Sequence, residues 1–159
     1  MDSFPELIFN VAGTPLLVFW FVLVFLPKWS WTDRLYRTKL PMLYLAVLYS
    51  VIVVYGLVTD PEPFMILLDP DLAGAQQLLG SAVGATAGWI HFLCFDLLIG
   101  TLIWRRALAK GHRFLWVSPV LVMTLFLAPM GWLVFEAVSF GISRRASSGG
   151  DPATPRPDG

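Results

Sequence analysis

Long apolar runs separated by charged connections organise this chain, and four stand out near Leu7 to Leu26, Leu40 to Val58, Ala85 to Trp104 and Trp116 to Ile142. Each approaches the roughly twenty residues that a helix needs to cross about 30 Å of hydrocarbon at about 1.5 Å per residue. None shows the period-two alternation of a barrel strand, and an open sheet would leave its edge amides unsatisfied in lipid, so helices are the remaining choice. The pattern predicts an all-α fold, a four-transmembrane-helix bundle over residues 1–142. Within the last run, Pro129-Met130-Gly131 marks the expected kink, with Pro119 a second candidate.

The connections differ in sign. Lys28, Arg34, Arg37 and Lys39 occupy the first and Arg105, Arg106, Lys110 and Arg113 the third, whereas the second holds Asp60, Glu62, Asp69 and Asp71 and no base. The positive-inside rule therefore predicts that the first and third connections are cytoplasmic and that both termini lie outside, although Arg144 and Arg145 after the fourth run argue against this. Trp29, Trp31, Trp104 and Trp116 then gather at the cytoplasmic interface, where indoles prefer to lie. The second connection, Thr59 to Gly84, is the long one. In it Asp69-Pro70 has the form of an N-cap and first helical residue, predicting a short helix from Pro70 to about Leu79, laid as a lid over the outer face. Residues 143–159, rich in Ser, Gly, Pro and Asp, read as a disordered tail.

Composition agrees: 57% of the residues are hydrophobic and 14% charged, where soluble domains carry about a quarter as charges. Membrane lipids are thus the expected first partners. Asp2 and Glu6 before the first run, in place of a basic flank, predict a retained helix and not a signal peptide; with no Ser- and Arg-rich presequence, a bacterial cytoplasmic membrane is the simplest address. The single cysteine, Cys94, excludes an internal disulfide and a multi-cysteine metal site, and no phosphate-binding glycine loop or dinucleotide fingerprint occurs. The bases flank spans without forming a face for nucleic acid. No metal or cofactor is expected, because His91 lacks a second imidazole at its own level and His112 falls on the other side.

Candidate chemistry lies inside the spans, in Gly88-Trp89-Ile90-His91-Phe92-Leu93-Cys94-Phe95-Asp96-Leu97. A carboxylate at the bilayer centre costs about 2.5 to 3.5 kcal/mol, so an intramembrane Asp or His marks a functional site by default. Counting helical rise puts His91 about 9 Å and Asp96 about 16 Å below the outer boundary, with Glu136 of the last run about 8 to 9 Å from it. Asn10 and Tyr55 fall at similar depths and Ser50 and Tyr49 closer to the level of Asp96, which predicts a polar cavity open to the outer half with His91, Asp96 and Glu136 as acid/base candidates. His91 and Asp96 are about 140° apart on their helix, so they can flank one cleft but not stack. Trp89 and Asp96 share a face that continues to Gly100, while His91 aligns with Gly84, Gly88, Phe95 and Leu98. The competing reading is polar glue between helices, worth about 0.6 to 2 kcal/mol.

Gly88-Trp89-Ile90-His91, Phe95-Asp96-Leu97 and Thr124-Leu125-Phe126-Leu127-Ala128-Pro129-Met130-Gly131, with the Pro27-Lys28-Trp29 exit of the first run, resemble the abscisic-acid-deficiency membrane protein family, the group containing plant neoxanthin synthase. The resemblance covers most of residues 5–142. It implies an integral membrane protein associated in plants with conversion of the epoxide violaxanthin to the allene neoxanthin, and His91 and Asp96 match the motif positions. Such an isomerisation needs an acid at the epoxide oxygen and a base at a carbon-bound proton, without a redox cofactor. Asp96 suits the acid and His91 the base, with the two roles open to exchange. A carotenoid or related isoprenoid would be lined by Trp89, Phe92, Phe95, Tyr55, Asn10, Phe126 and Trp132. Two other classes stand beside this reading: a non-enzymatic membrane subunit or lipid- and carotenoid-binding protein, and a small proton-coupled transporter.

Overall fold

The computed structural model describes residues 3–148, with side chains through Arg144. Among the described residues every regular element is a helix, as the runs predict. Helix α1 (Phe4–Phe25) starts with Pro5 in its first turn, where the missing N–H is not needed, and ends before Pro27. The amphipathic α2 (Ser30–Arg37) buries Thr32 and Tyr36, one turn apart, and pairs Arg37 with Asp33 on its outer face. The Thr32 hydroxyl donates to the Leu26 carbonyl at 2.6 Å and the Tyr36 hydroxyl to Phe19 at 2.7 Å, tying this short helix under α1. Lys39, at φ +57°, turns the chain into α3 (Leu40–Thr59).

The long connection forms a 3-10 turn, Glu62–Leu67, and helix α4 (Leu72–Gly80). The expected lid helix is present but starts two residues later than the Asp69-Pro70 signal suggested. Asp71 is the cap, because its carboxylate accepts the Gly74 N–H at 2.8 Å. Ser81 caps the next helix, α5 (Ala82–Ala109), in the same way at 3.0 Å.

α1 and α5 run parallel. The Thr86 hydroxyl donates to the Pro5 carbonyl at 3.4 Å near their starts, and the Trp104 indole donates to Pro27 at 2.7 Å near their ends. Between these points Phe9 stacks on Trp89, and Trp20 lies against Gly100 so closely that a Cβ there would meet its ring. α3 runs the opposite way beside both, with Tyr55 against Phe4, Tyr49 against His91, and the Tyr44 hydroxyl donating to Val11. Bare backbone at such crossings lets helices approach closely where lipid removes the hydrophobic drive to associate.

The fourth run departs from expectation. It forms two helices, α6 (Phe114–Phe126) and α7 (Ala128–Ser148), broken at Leu127, whose φ of −144° and ψ of 69° leave the helical region. α7 then folds back along α6. Thr124 sits against Gly131, Trp116 stacks on Phe135 with centroids 5.6 Å apart, and His112 Nε2 lies 3.2 Å from Ser139 Oγ. Pro129 falls in the first turn of α7, where a proline starts a helix and need not kink one. At about 1.5 Å per residue α6 spans about 20 Å and stops short of crossing about 30 Å of hydrocarbon. Three helices, α1, α3 and α5, are long and apolar enough to span a bilayer.

Two expectations change with this hairpin. The described ends of the chain do not share a side: α7 finishes beside Lys110–Arg113, at the opposite end of the bundle from Phe4. Residues 143–148, read as the start of a disordered tail, are the last turns of α7, and residues 149–159 lie outside the described part. Arg144 thereby joins the basic end, which removes its conflict with the positive-inside rule.

A reporter fused after Ser148 is expected to read the same side as one inserted at Gly111, and the opposite side from one placed before Phe4; agreement between the two chain ends would refute the hairpin. Gly131→Val should destabilise the fold by about 1 to 3 kcal/mol in detergent unfolding, since its side chain would overlap both the Thr124 side chain and backbone.

Candidate functional site

Glycines decide where the lid sits. A Cβ at Gly56 of α3 would lie 2.6 Å from both Phe64 and Val83, and one at Gly88 of α5 would lie 3.0 Å from Leu79. At Gly84 it would strike the Leu78 carbonyl. The 3-10 turn and α4 thus drop onto bare backbone at the outer ends of α3 and α5. Under them is a cavity of about 150 Å³, lined by Tyr49 and Val53 of α3, Phe64 and Leu67 of the turn, Leu78 and Leu79 of α4, and Gly84, Ala87, Gly88 and His91 of α5. By residue count His91 and Tyr49 form its deepest part.

Three aromatic rings surround the His91 imidazole. Phe95 is 4.6 Å away between centroids, Tyr49 5.6 Å and Phe92 6.3 Å. The imidazole makes no hydrogen bond among the described residues, so both ring nitrogens are available to a guest. Phe92 and Phe95 are themselves exposed on the bilayer-facing side of this group.

Asp96 belongs elsewhere. Seven residues before it Trp89 stacks on Phe9, and four residues after it Gly100 receives Trp20, so its flank of α5 is turned toward α1. The carboxyl is half-buried and has no hydrogen bond or ion pair among the described residues. Counting from the α5–α6 turn, it is level with the break at Leu127. The Trp20 indole, 2% exposed and packed on Gly100 one turn away, also has an N–H without an acceptor among the described residues.

Glu136 does not reach the half of the bundle that holds His91. It pairs with Arg106 near the basic end of α5, and the Arg106 guanidinium lies 4.6 Å above the Trp132 ring. The depth count placed Glu136 level with His91 because it assumed a helix that keeps going outward; after Leu127 each residue moves back instead. Of the other expected lining groups, Tyr55 packs on Phe4, Asn10 is exposed on α1, and Phe126 is 74% exposed at the hairpin tip. The single polar cavity expected for His91, Asp96 and Glu136 is therefore three separate places. Tyr49 was expected nearer to Asp96, and the lid residues Phe64, Leu67, Leu78 and Leu79 are site residues that sequence reasoning did not place here. Their signal was Gly56, Gly84 and Gly88, which leave room for a covering segment.

Outside the spans, His112 is held below its ordinary value of 6.5 by burial first and by the Lys110 charge second.

With the geometry established, known proteins offer a comparison. The sequence profile of the ABA DEFICIENT 4-like family matches residues 7–135, from α1 through the hairpin tip and into α7. Protein ABA DEFICIENT 4, chloroplastic, of Arabidopsis thaliana is 25% identical over 104 residues, which is 64% of this chain and 47% of that protein. The chain thus matches about half the length of that relative. No solved structure matches.

Because His112 is depressed in the folded state, the unfolded chain takes up the proton first, and stability should fall as pH drops through about 6.5. Lys110→Met should raise the His112 value and shrink that decline; histidine NMR and thermal unfolding across pH 5 to 8 check both, and a His112 titration unmoved by Lys110→Met would refute the assignment.

Proposed function

This chain belongs to the ABA DEFICIENT 4-like family, and on that footing we propose that it is a neoxanthin synthase-like membrane protein that acts on a carotenoid or related isoprenoid lipid by acid/base isomerisation. The observation that carries this reading is an exposed imidazole, with no hydrogen bond among the described residues, beside the Tyr49 phenol in a largely apolar compartment under the 3-10 turn and α4. At about 150 Å³ the compartment is smaller than the roughly 300 to 1,000 Å³ of pockets that enclose a drug-sized ligand. It suits one cyclic end group, with the polyene left in lipid along Phe92 and Phe95.

The chemistry follows from the groups that surround the guest. Opening an epoxide end group breaks one C–O bond as a proton reaches the oxygen, while a base removes a proton from carbon and that C–H pair becomes the new double bond. No atom is gained or lost. His91 is assigned the base, and the Tyr49 phenol, which lines the same compartment, the proton donor. Asp96, first considered for the acid, is on the α1 flank and is assigned no direct contact with the end group. We set the protein in a bacterial cytoplasmic membrane with its basic end inside, on the charge asymmetry of the connections; the Arabidopsis relative is chloroplastic by name.

The largely apolar walls around His91 also favour a second reading, a carotenoid-binding protein that turns nothing over. Expression in a carotenoid-producing host separates the two. His91→Ala and Tyr49→Phe are expected to reduce the product pigment by about 10²-fold at equal protein in the membrane, and Asp96→Asn by less than about tenfold. An unchanged pigment profile in His91→Ala would refute isomerisation there. Purified protein that carries stoichiometric pigment and converts none would establish the binder.

A further inference from the structure

The turn between α5 and α6 builds a second concave site, independent of the His91 compartment. Gly111, at φ +65°, reverses the chain within Lys110–Arg113, and the turn is closed by the His112 N–H donating to the Ala107 carbonyl at 2.9 Å. A left-handed glycine here lets three successive side chains, Lys110, His112 and Arg113, border one hollow. Its far wall is Trp116, Ile142 and Ser143, and its volume is about 560 Å³. His112 is fixed in the hollow by Ser139 and by the rings of Trp116 and Phe135, 5.1 and 6.1 Å away.

Among the described residues the charge in this hollow is not neutralised. Among the described residues Lys110 and Arg113 have no carboxylate partner. The nearby acid, Glu136, is taken by Arg106, Asp33 is taken by Arg37, and Asp60, Glu62, Asp69 and Asp71 are at the other end of the bundle. The Lys110 charge is already felt at His112. The apolar wall of Trp116 and Ile142 begins where α6 and α7 leave the interface for the hydrocarbon. A cationic rim above an apolar wall at that depth matches a headgroup and the start of its acyl chains.

We propose that the hollow formed by Lys110, His112, Arg113, Trp116 and Ile142 is a seat for the phosphate group of an anionic membrane lipid. The first connection carries comparable charge without comparable shape. Its hollows are each lined by one base, Lys28 in one and Arg34 in the other, so it serves as an internal control.

The test uses the full chain in detergent, with native mass spectrometry after addition of phosphatidylglycerol or phosphatidylcholine. Wild type should retain phosphatidylglycerol about thirtyfold better, as expected for two bases acting near a headgroup. Lys110→Gln with Arg113→Gln should lose that preference, Lys110→Arg with Arg113→Lys should keep it, and Lys28→Gln with Arg34→Gln should leave it within about twofold. In the wild type alone, phosphatidylglycerol should move the His112 imidazole resonances and phosphatidylcholine should not. Equal retention of the two lipids, equal loss in both glutamine pairs, or an unmoved His112 would overturn the proposal. Displacement of the lipid by inorganic phosphate at millimolar concentration would assign the seat to a soluble anion instead.

Discussion

One helix serves as packing surface for nearly every other, and the fixed angle between its side chains governs what the protein can assemble. α5 meets α3 on one flank, α1 on another and the α6–α7 hairpin toward its basic end, while the lid rests on its start. A residue on α5 is thereby assigned to a neighbour by its azimuth alone. His91 and Asp96, about 140° apart, go to different neighbours: one to α3 and the lid, the other to the α1 side. Polar groups only five residues apart in an apolar helix thus need not work together, and each must satisfy its own surroundings.

The hairpin shows how lipid constrains a chain that turns back. A reversal inside the membrane leaves backbone groups without helical partners, and these must be shielded by protein. Here the interruption is confined to Leu127, with the Leu127 N–H still donating to Met123 and its carbonyl still accepting from Gly131. Gly131 then lets the returning helix close on Thr124. Arg106, Glu136 and Trp132 pin the far end, where a charged pair is close enough to the interface to be partly solvated.

Much of the fold was legible in the residues. The three helices long and apolar enough to span followed from run length, and the lid helix from an Asp-Pro signal within two residues of the true cap. The fate of the fourth run was not legible, because a proline within an apolar segment fits a kinked helix and the first turn of a new one equally well. Arg144 was the contrary sign, and α7 carries it to the same end as Lys110–Arg113. For the candidate site, the azimuthal gap between His91 and Asp96 was readable, but which helix covers each face is a property of long-range packing. Tyr49 was placed by depth beside Asp96 and not beside His91, because which residues of two helices meet depends on their packing.

The hairpin's limited reach also shapes the molecule as a whole. α6 and α7 thicken only the half of the body at the basic end, whereas α1, α3 and α5 alone continue through the other. The cross-section is therefore unequal in the two leaflets, and the protein is a wedge. The lipid beside the short hairpin tip therefore meets the flanks of α1 and α5 where beside the basic end it meets α6 and α7.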